Sequence, residues 1–429
     1  KKIVSLVIVL TLLLTLSACS TGSGQAVTND ASTDDATSSV VATIVSEINA
    51  STQTSAVVAS SSDTVSVASD SDSEDDSSSG PSDVVTAIVL GDTITVDGAG
   101  AEVNGNVVTI TAAGTYSVTG VLSNGYIDVN TSGKVYFLLN GVTITNNSGP
   151  ALMITDAKKV TIILGTGTTN TFSDAANNNE NDAAIFTNDT LVIEGDGALV
   201  VNGNNVEGIS SDDDIIINSG TISVSAVDDG LNAHDDITVN GGTLYVVAGG
   251  DGIDSNGTIN INGGIVFSYG STAGGDGGLD SMGEMIITGG TIFAAGNTIG
   301  APSTNSTQYS LYASSGLTLD AGTIIRIELD GVEIATFAPT RSYQNVLFSS
   351  PNLTDGTTYQ IYVGGSYSGT SVNGLYSGGT YDASSALTSL TAVAAASPSG
   401  AGMFGGPGGG GGMPGGGQPG GMPGGGQHP

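Results

Sequence analysis

Gly230-Leu231-Asn232-Ala233-His234-Asp235-Asp236-Ile237-Thr238-Val239-Asn240-Gly241-Gly242 is followed by a second copy of its own pattern, Gly252-Ile253-Asp254-Ser255-Asn256-Gly257-Thr258-Ile259-Asn260-Ile261-Asn262-Gly263-Gly264. Gly208-Ile209-Ser210-Ser211-Asp212 opens an earlier copy and Gly278-Leu279-Asp280-Ser281-Met282 a later one. The opening glycines stand 22, 22 and 26 residues apart, and a second set, Gly220, Gly242, Gly264 and Gly290, keeps step with them. A fixed period of this size predicts a solenoid in which each coil stacks like residues on like.

Superposing the copies gives apolar columns: Ile209, Leu231, Ile253, Leu279; Ile215, Ile237, Ile259, Met285; Ile217, Val239, Ile261, Ile287; Ile222, Leu244, Val266, Ile292. A coil can bury these only against its neighbours, so they point inward, while Thr238 and Asn260 between them face out by strand alternation. The Asn-Gly-Gly steps at 240–242 and 262–264 read as turns. Short β-branched runs at 107–110, 134–139 and 159–164 extend the style towards the N-terminus, and no segment has a helical period. The expected fold is all-β, a parallel β-helix over residues 84–305, with a β-sandwich as the alternative. The period is lost after residue 305, so 306–396 is expected to be an irregular C-terminal β cap.

Both ends differ from this centre. Lys1-Lys2 followed by the apolar run 3–16 reads as an export signal over residues 1–18, too short for a comfortable membrane span. Leu16-Ser17-Ala18-Cys19 is similar to the lipobox of bacterial lipoproteins, and Cys19 is the only cysteine in the chain, so lipidation there is expected. The expected location is the cell surface, on the outer face of a bacterial cytoplasmic membrane, with the lipid as the only membrane contact. Residues 19–83, rich in Ser, Thr and Asp, read as a disordered tether, and 397–429, built of Gly, Pro, Met and Gln, as a disordered tail.

Net charge is −34, with seven Lys plus Arg against 41 Asp plus Glu, which excludes a nucleic-acid partner. The acids repeat with the coils. Glu207, Asp229 and Asp251 precede the opening glycine, with Asp228 beside Asp229 and Asp276 one residue earlier in the longer coil. Ser210, Asn232, Asp254 and Asp280 lie two residues after it, and Asp212, Asp213, Asp214, Asp235, Asp236 and Glu284 form a third set. Coils stacked about 4.8 Å apart would bring these carboxylates close enough to repel strongly. A divalent cation relieves that repulsion, and Ca²⁺ suits an all-oxygen donor set. The candidate ligands are Asp212, Asp213, Asp228, Asp229, Asp235, Asp251, Asp254, Asp276 and Asp280; the alternative is that they are solvated turn residues.

Thr111-Ala112-Ala113-Gly114-Thr115-Tyr116, Asn140-Gly141-Val142-Thr143-Ile144, Ala184-Ile185-Phe186, Asp228-Asp229-Gly230-Leu231 and Gly249-Gly250-Asp251-Gly252-Ile253 resemble the carbohydrate-binding-domain lipoproteins of clostridia and related bacteria. The resemblance covers about residues 86–385. It implies a right-handed parallel β-helix similar to polysaccharide lyases, bound Ca²⁺, and binding of acidic plant polysaccharide such as polygalacturonate (pectin), with cellulose as a further candidate.

A uronate lyase needs a strong base beside its cation. No Lys or Arg lies between Lys159 and Arg326, and His234 is the only His before the tail. Binding without catalysis is therefore the expected activity, by a monomer, with Ca²⁺ bridging protein and uronate. A structural protein or adhesin stiffened by Ca²⁺ is the first alternative and a Ca²⁺-dependent lyase the second. Tyr245, Phe267 and Tyr269 are the candidate sugar-stacking rings, although Tyr245, Phe267 and Phe293 share a column that suits packing equally well.

Overall fold

A computed structural model describes residues 85–176 and 183–398. The expected signal segment, Cys19, the tether and the tail beyond residue 398 lie outside these residues. Every helix-or-strand element among the described residues is a strand.

The strands stack into three parallel ladders. The first runs through Val107–Ile110, Tyr126–Asn130, Leu152–Asp156, Ala183–Thr187, Glu207–Ser211, Leu231–Ala233, Ile253–Ser255 and Leu279–Ser281. The second runs from Gly114–Leu122 through Ile215–Ile217, Ile237–Val239 and Ile259–Ile261 to Met285–Ile287. The third runs from Thr169–Ser173 through Thr221–Ala226, Thr243–Val247 and Ile265–Tyr269 to Thr291–Gly296. The fold is a parallel β-helix, as the period predicts. Its register pairs the residues of each apolar column in adjacent coils, for example Ile209 with Leu231, Leu231 with Ile253, and Ile253 with Leu279. These side chains are buried and form one continuous core.

The two glycine columns answer to different constraints. Gly220, Gly242, Gly264 and Gly290 have φ between 78° and 101°, the left-handed region that side chains disfavour. The opening glycines are there for space: a Cβ on Gly230 would stand 2.5 Å from the Gly252 carbonyl oxygen and closer still to the Val246 side chain. Between the second and third ladders an exposed amide ladder forms. Asn240 Nδ2 donates to Asn218 Oδ1 and Asn262 Nδ2 to Asn240 Oδ1, both at 2.9 Å, and Thr288 Oγ1 donates to Asn262 Oδ1. Asn240→Ala removes two of these bonds at a solvated site and is expected to cost about 1 kcal/mol. Thermal unfolding checks this, and an unchanged Tm would mean that water replaces the ladder at no cost.

Antiparallel strands close the ladder ends. Ala101–Asn104 covers Val107–Ile110, Thr95–Asp97 pairs with Val85–Leu90, and Tyr343–Ser349 pairs with Thr291–Gly296. The C-terminal region does more than cap. Its six-stranded antiparallel sheet shares a second core with the outward side chains of the third ladder, Ile265, Phe267, Tyr269, Phe293 and Ala295.

Candidate functional site

Those aromatics are the clearest departure from expectation. Phe267 and Tyr269 have no exposed surface, and Phe293 stacks on Phe267 at 4.9 Å while meeting Phe337 and Phe348 of the C-terminal region. Tyr245 is half-buried at the margin of this core, with its hydroxyl 2.9 Å from Thr340 Oγ1. The column is real, since Tyr245, Phe267 and Phe293 stack in register. It is roofed over, however, so Phe267 and Tyr269 offer no face to a sugar. The outward alternation looked the same in the sequence because the covering sheet is encoded far downstream.

The acids occupy two clusters. Asp254 lies between Asn232 and Asp280 in the register of the first ladder's outer face. Asp251 comes from the turn that leads into that ladder. Asp251, Asp254 and Asp280 each place a carboxylate oxygen within 4.8 Å of the others. Asp229 borders them: it accepts the Asp251 backbone N–H at 2.6 Å and an Asn232 side-chain N–H at 3.2 Å. Asp251 accepts the Gly277 N–H in the same manner. One oxygen of each turn carboxylate is thus tied to the backbone of the next coil, and the other is left to face its neighbours.

The second cluster joins Asp213, Asp214 and Asp235 in the turn between the first and second ladders, again with oxygens within 4.8 Å of one another. Asp214 accepts the Asp236 N–H at 2.9 Å, and Asp236 accepts the Thr258 N–H at 2.7 Å. Of the expected ligands, Asp251, Asp254 and Asp280 meet in one cluster and Asp213 and Asp235 in the other. Asp212 is exposed and stays outside. Asp214 takes its place because it directly precedes the inward Ile215, the position whose carboxylate reaches the next coil. Asp276 is not in the column, since Gly277 follows Asp251 in the stack, but its charge still acts on Asp229. Asp228 is exposed beside Asp229.

Burial, and after it the crowding of like charges, holds the Asp251 and Asp254 carboxylates above their ordinary range. Burial, then the charges of Asp229, Asp280 and Asp254, push Asp251 up to about 7 against the backbone bond from Gly277. Burial and the charges of Asp229 and Asp280 push Asp254 up to about 6. Burial also raises Asp229 and Asp214, each offset by its backbone hydrogen bond to the next coil. A hard cation would reverse these shifts by neutralising the carboxylates. The space is kept open as well: a Cβ on Gly250 would overlap carboxylate oxygens of both Asp228 and Asp229. The donor set is therefore one that could hold a metal ion through oxygen.

The outer face of the first ladder continues past the acids. Asp128, Met153, Phe186, Ser210, Asn232, Asp254 and Asp280 stack in that order. Phe186 is half-buried, three coils from Asp254, or about 14 Å. Its outward position in 184–186 was readable from alternation but had no repeat partner to mark it. His234 is an exposed turn residue, its Nδ1 3.4 Å from Asp235 Oδ1. Arg326 is engaged by Glu328 and Glu333 in the C-terminal sheet.

A stacked-coil β-helix with acid-lined turns and an open outer ladder face is a surface suited to extended ligands, and comparison with known proteins gives the class. The chain belongs to the family of carbohydrate-binding domain-containing proteins, whose model matches residues 104–340. It is 34% identical over 136 residues to a carbohydrate-binding domain-containing protein of Acetivibrio thermocellus, a match covering 30% of this chain and 48% of that relative. The match thus spans about half the relative's length. A solved structure described as the polysaccharide lyase-like protein from C. thermocellum, in a gadolinium derivative, matches at 28% identity and a TM-score of 0.42. That match covers 49% of this chain and 92% of the other.

Proposed function

We propose that this protein binds acidic plant polysaccharide without cleaving it, through Ca²⁺ held on the outer face of the first ladder. Asp251, Asp254 and Asp280 would hold the ion, with Asp229 beside them. The observation that carries this reading is the convergence of three carboxylates, Asp251, Asp254 and Asp280, from two adjacent coils, with no Cys or His among them. An all-oxygen set of this kind suits Ca²⁺, which takes about six to eight oxygen ligands in flexible geometry. A chain at −34 repels a polyuronate, so the bound ion supplies the attraction that the protein lacks. Phe186 and Met153, further along the same face, would lie against sugar rings. Export and attachment through Cys19, as a monomer at the cell surface, complete the proposal.

The test is retention on immobilised polygalacturonate. With Ca²⁺ the protein is expected to be retained; with EGTA, or in Asp251→Asn/Asp254→Asn, binding should fall at least tenfold. Retention unaffected by EGTA would overturn the bridging role. Release of an unsaturated, ultraviolet-absorbing product would overturn the non-catalytic reading.

A further inference from the structure

The face of the C-terminal sheet turned away from the solenoid has no part in that site. It carries four half-buried tyrosines in two touching pairs: Tyr362 with Tyr381, ring centres 6.0 Å apart, and Tyr367 with Tyr376, 5.2 Å apart. Each pair is tilted at 49°. Between the pairs lies Arg326, its guanidinium carbon 5.1 Å from the centre of the Tyr381 ring. Arg326 Nη1 donates to Glu333 at 3.0 Å and Nε to Glu328, with the Arg326 side chain only 11% exposed. Glu333 in turn accepts from Thr336 at 2.6 Å, and burial, then the charge of Glu333, raises the Tyr367 hydroxyl above its ordinary pKa. The opposite side of the same sheet is apolar and fully used, through Tyr359, Ile361 and Val363, against the third ladder.

The geometry points to this outer face as a second glycan-binding site, one that takes a neutral β-linked pyranose chain and needs no cation. Aromatic faces attract the C–H faces of sugars whose hydroxyls are equatorial, the arrangement of gluco- and xylopyranosides. The central arginine is outnumbered by two carboxylates, Glu328 and Glu333, so an anionic ligand gains no net attraction. The same groups offer fixed donors and acceptors to hydroxyls. A polyuronate meets only the chain's overall negative charge here. The 49° tilt rules out a flat platform for a crystalline surface and suits a single twisted chain. The family match ends at residue 340, so it includes Arg326, Glu328 and Glu333 and stops before all four tyrosines.

The chain has no Trp, which makes tyrosine absorbance a clean reporter. Cellohexaose and xylohexaose are titrated into the full chain in EGTA. A saturable tyrosine difference spectrum with either sugar is expected, and Tyr362→Leu/Tyr376→Leu, which keeps bulk but removes two rings, should weaken it at least tenfold. Tyr362→Phe/Tyr376→Phe, which keeps the rings, should bind within about threefold of the parent and controls for folding. Retention on polygalacturonate with Ca²⁺ should be unchanged in both, which separates this site from the cation site. No spectral change with either sugar, or equal binding by the leucine variant, would overturn the proposal.

Discussion

Gly230→Ala is expected to destabilise the protein by about 3 kcal/mol or more. Alanine is normally the milder residue, since glycine loses more freedom on folding. Here the added methyl has no room. It would lie 2.5 Å from the Gly252 carbonyl oxygen of the next coil, and still nearer to Val246 Cγ1 inside the core. Backbone in a stacked coil cannot retreat without breaking its own ladder bonds, Gly208 N–H to Asp229 oxygen on one side and Gly230 N–H to Asp251 oxygen on the other. Overpacking of this kind costs about 1–3 kcal/mol where side chains can yield, and more where backbone must. Chemical denaturation measures it, with Gly91→Ala as the comparison, because Gly91 has no left-handed φ and its Cβ would meet nothing nearer than the Thr93 carbonyl oxygen at 3.6 Å. A loss below 1 kcal/mol at Gly230 would show that the coils can part at this column.

The sign of the pH dependence of stability is expected to invert on adding Ca²⁺. In chelator, Asp251 titrates near 7 in the folded chain against an ordinary 3.8, and Asp254 near 6. Between about pH 4 and 7 the folded state therefore binds more protons than the unfolded one, so stability falls as pH rises through that window. Asp251 is 9% exposed, so solvent screens it little. A loss of about 2–4 kcal/mol follows, or roughly 3–6 °C in Tm for a folded region of this size. With saturating Ca²⁺ the same carboxylates are held ionised in the folded state. Their folded pKa values then drop below those of the unfolded chain, and stability rises with pH over the same range. Melting curves at pH 4.5, 6 and 7.5, in EGTA and in Ca²⁺, decide the matter; parallel slopes in the two series would mean that no ion occupies the cluster.

The ladders were legible in the sequence because stacking makes one coil a template for the next. Once Gly230 and Gly252 are aligned, every inward Ile follows. The convergence of Asp251 with Asp254 was half legible: both columns could be read, but not that a turn residue and a ladder residue three positions apart would point to one place. Asp212 against Asp214 shows the limit, since in a run of three aspartates only the backbone path decides which carboxylates meet. Phe267 and Tyr269 were misplaced for a different reason. Period reports what faces away from the coil axis, and whether that side meets water depends on residues 310–393, which carry no repeat.

The antiparallel closures at the two ends give the molecule a modular length. Ala101–Asn104 and Thr95–Asp97 seal one end and Tyr343–Ser349 the other; neither seal pairs with a strand of the coil that begins at Gly208, and that coil contributes nothing to the second core. A 22-residue unit can be duplicated or deleted there while both seals meet the strands they already fit. Each added unit would lengthen the open face by about 4.8 Å, close to one sugar of an extended chain. Gene duplication could thus set the reach of this surface one saccharide at a time, with the end structures inherited unchanged.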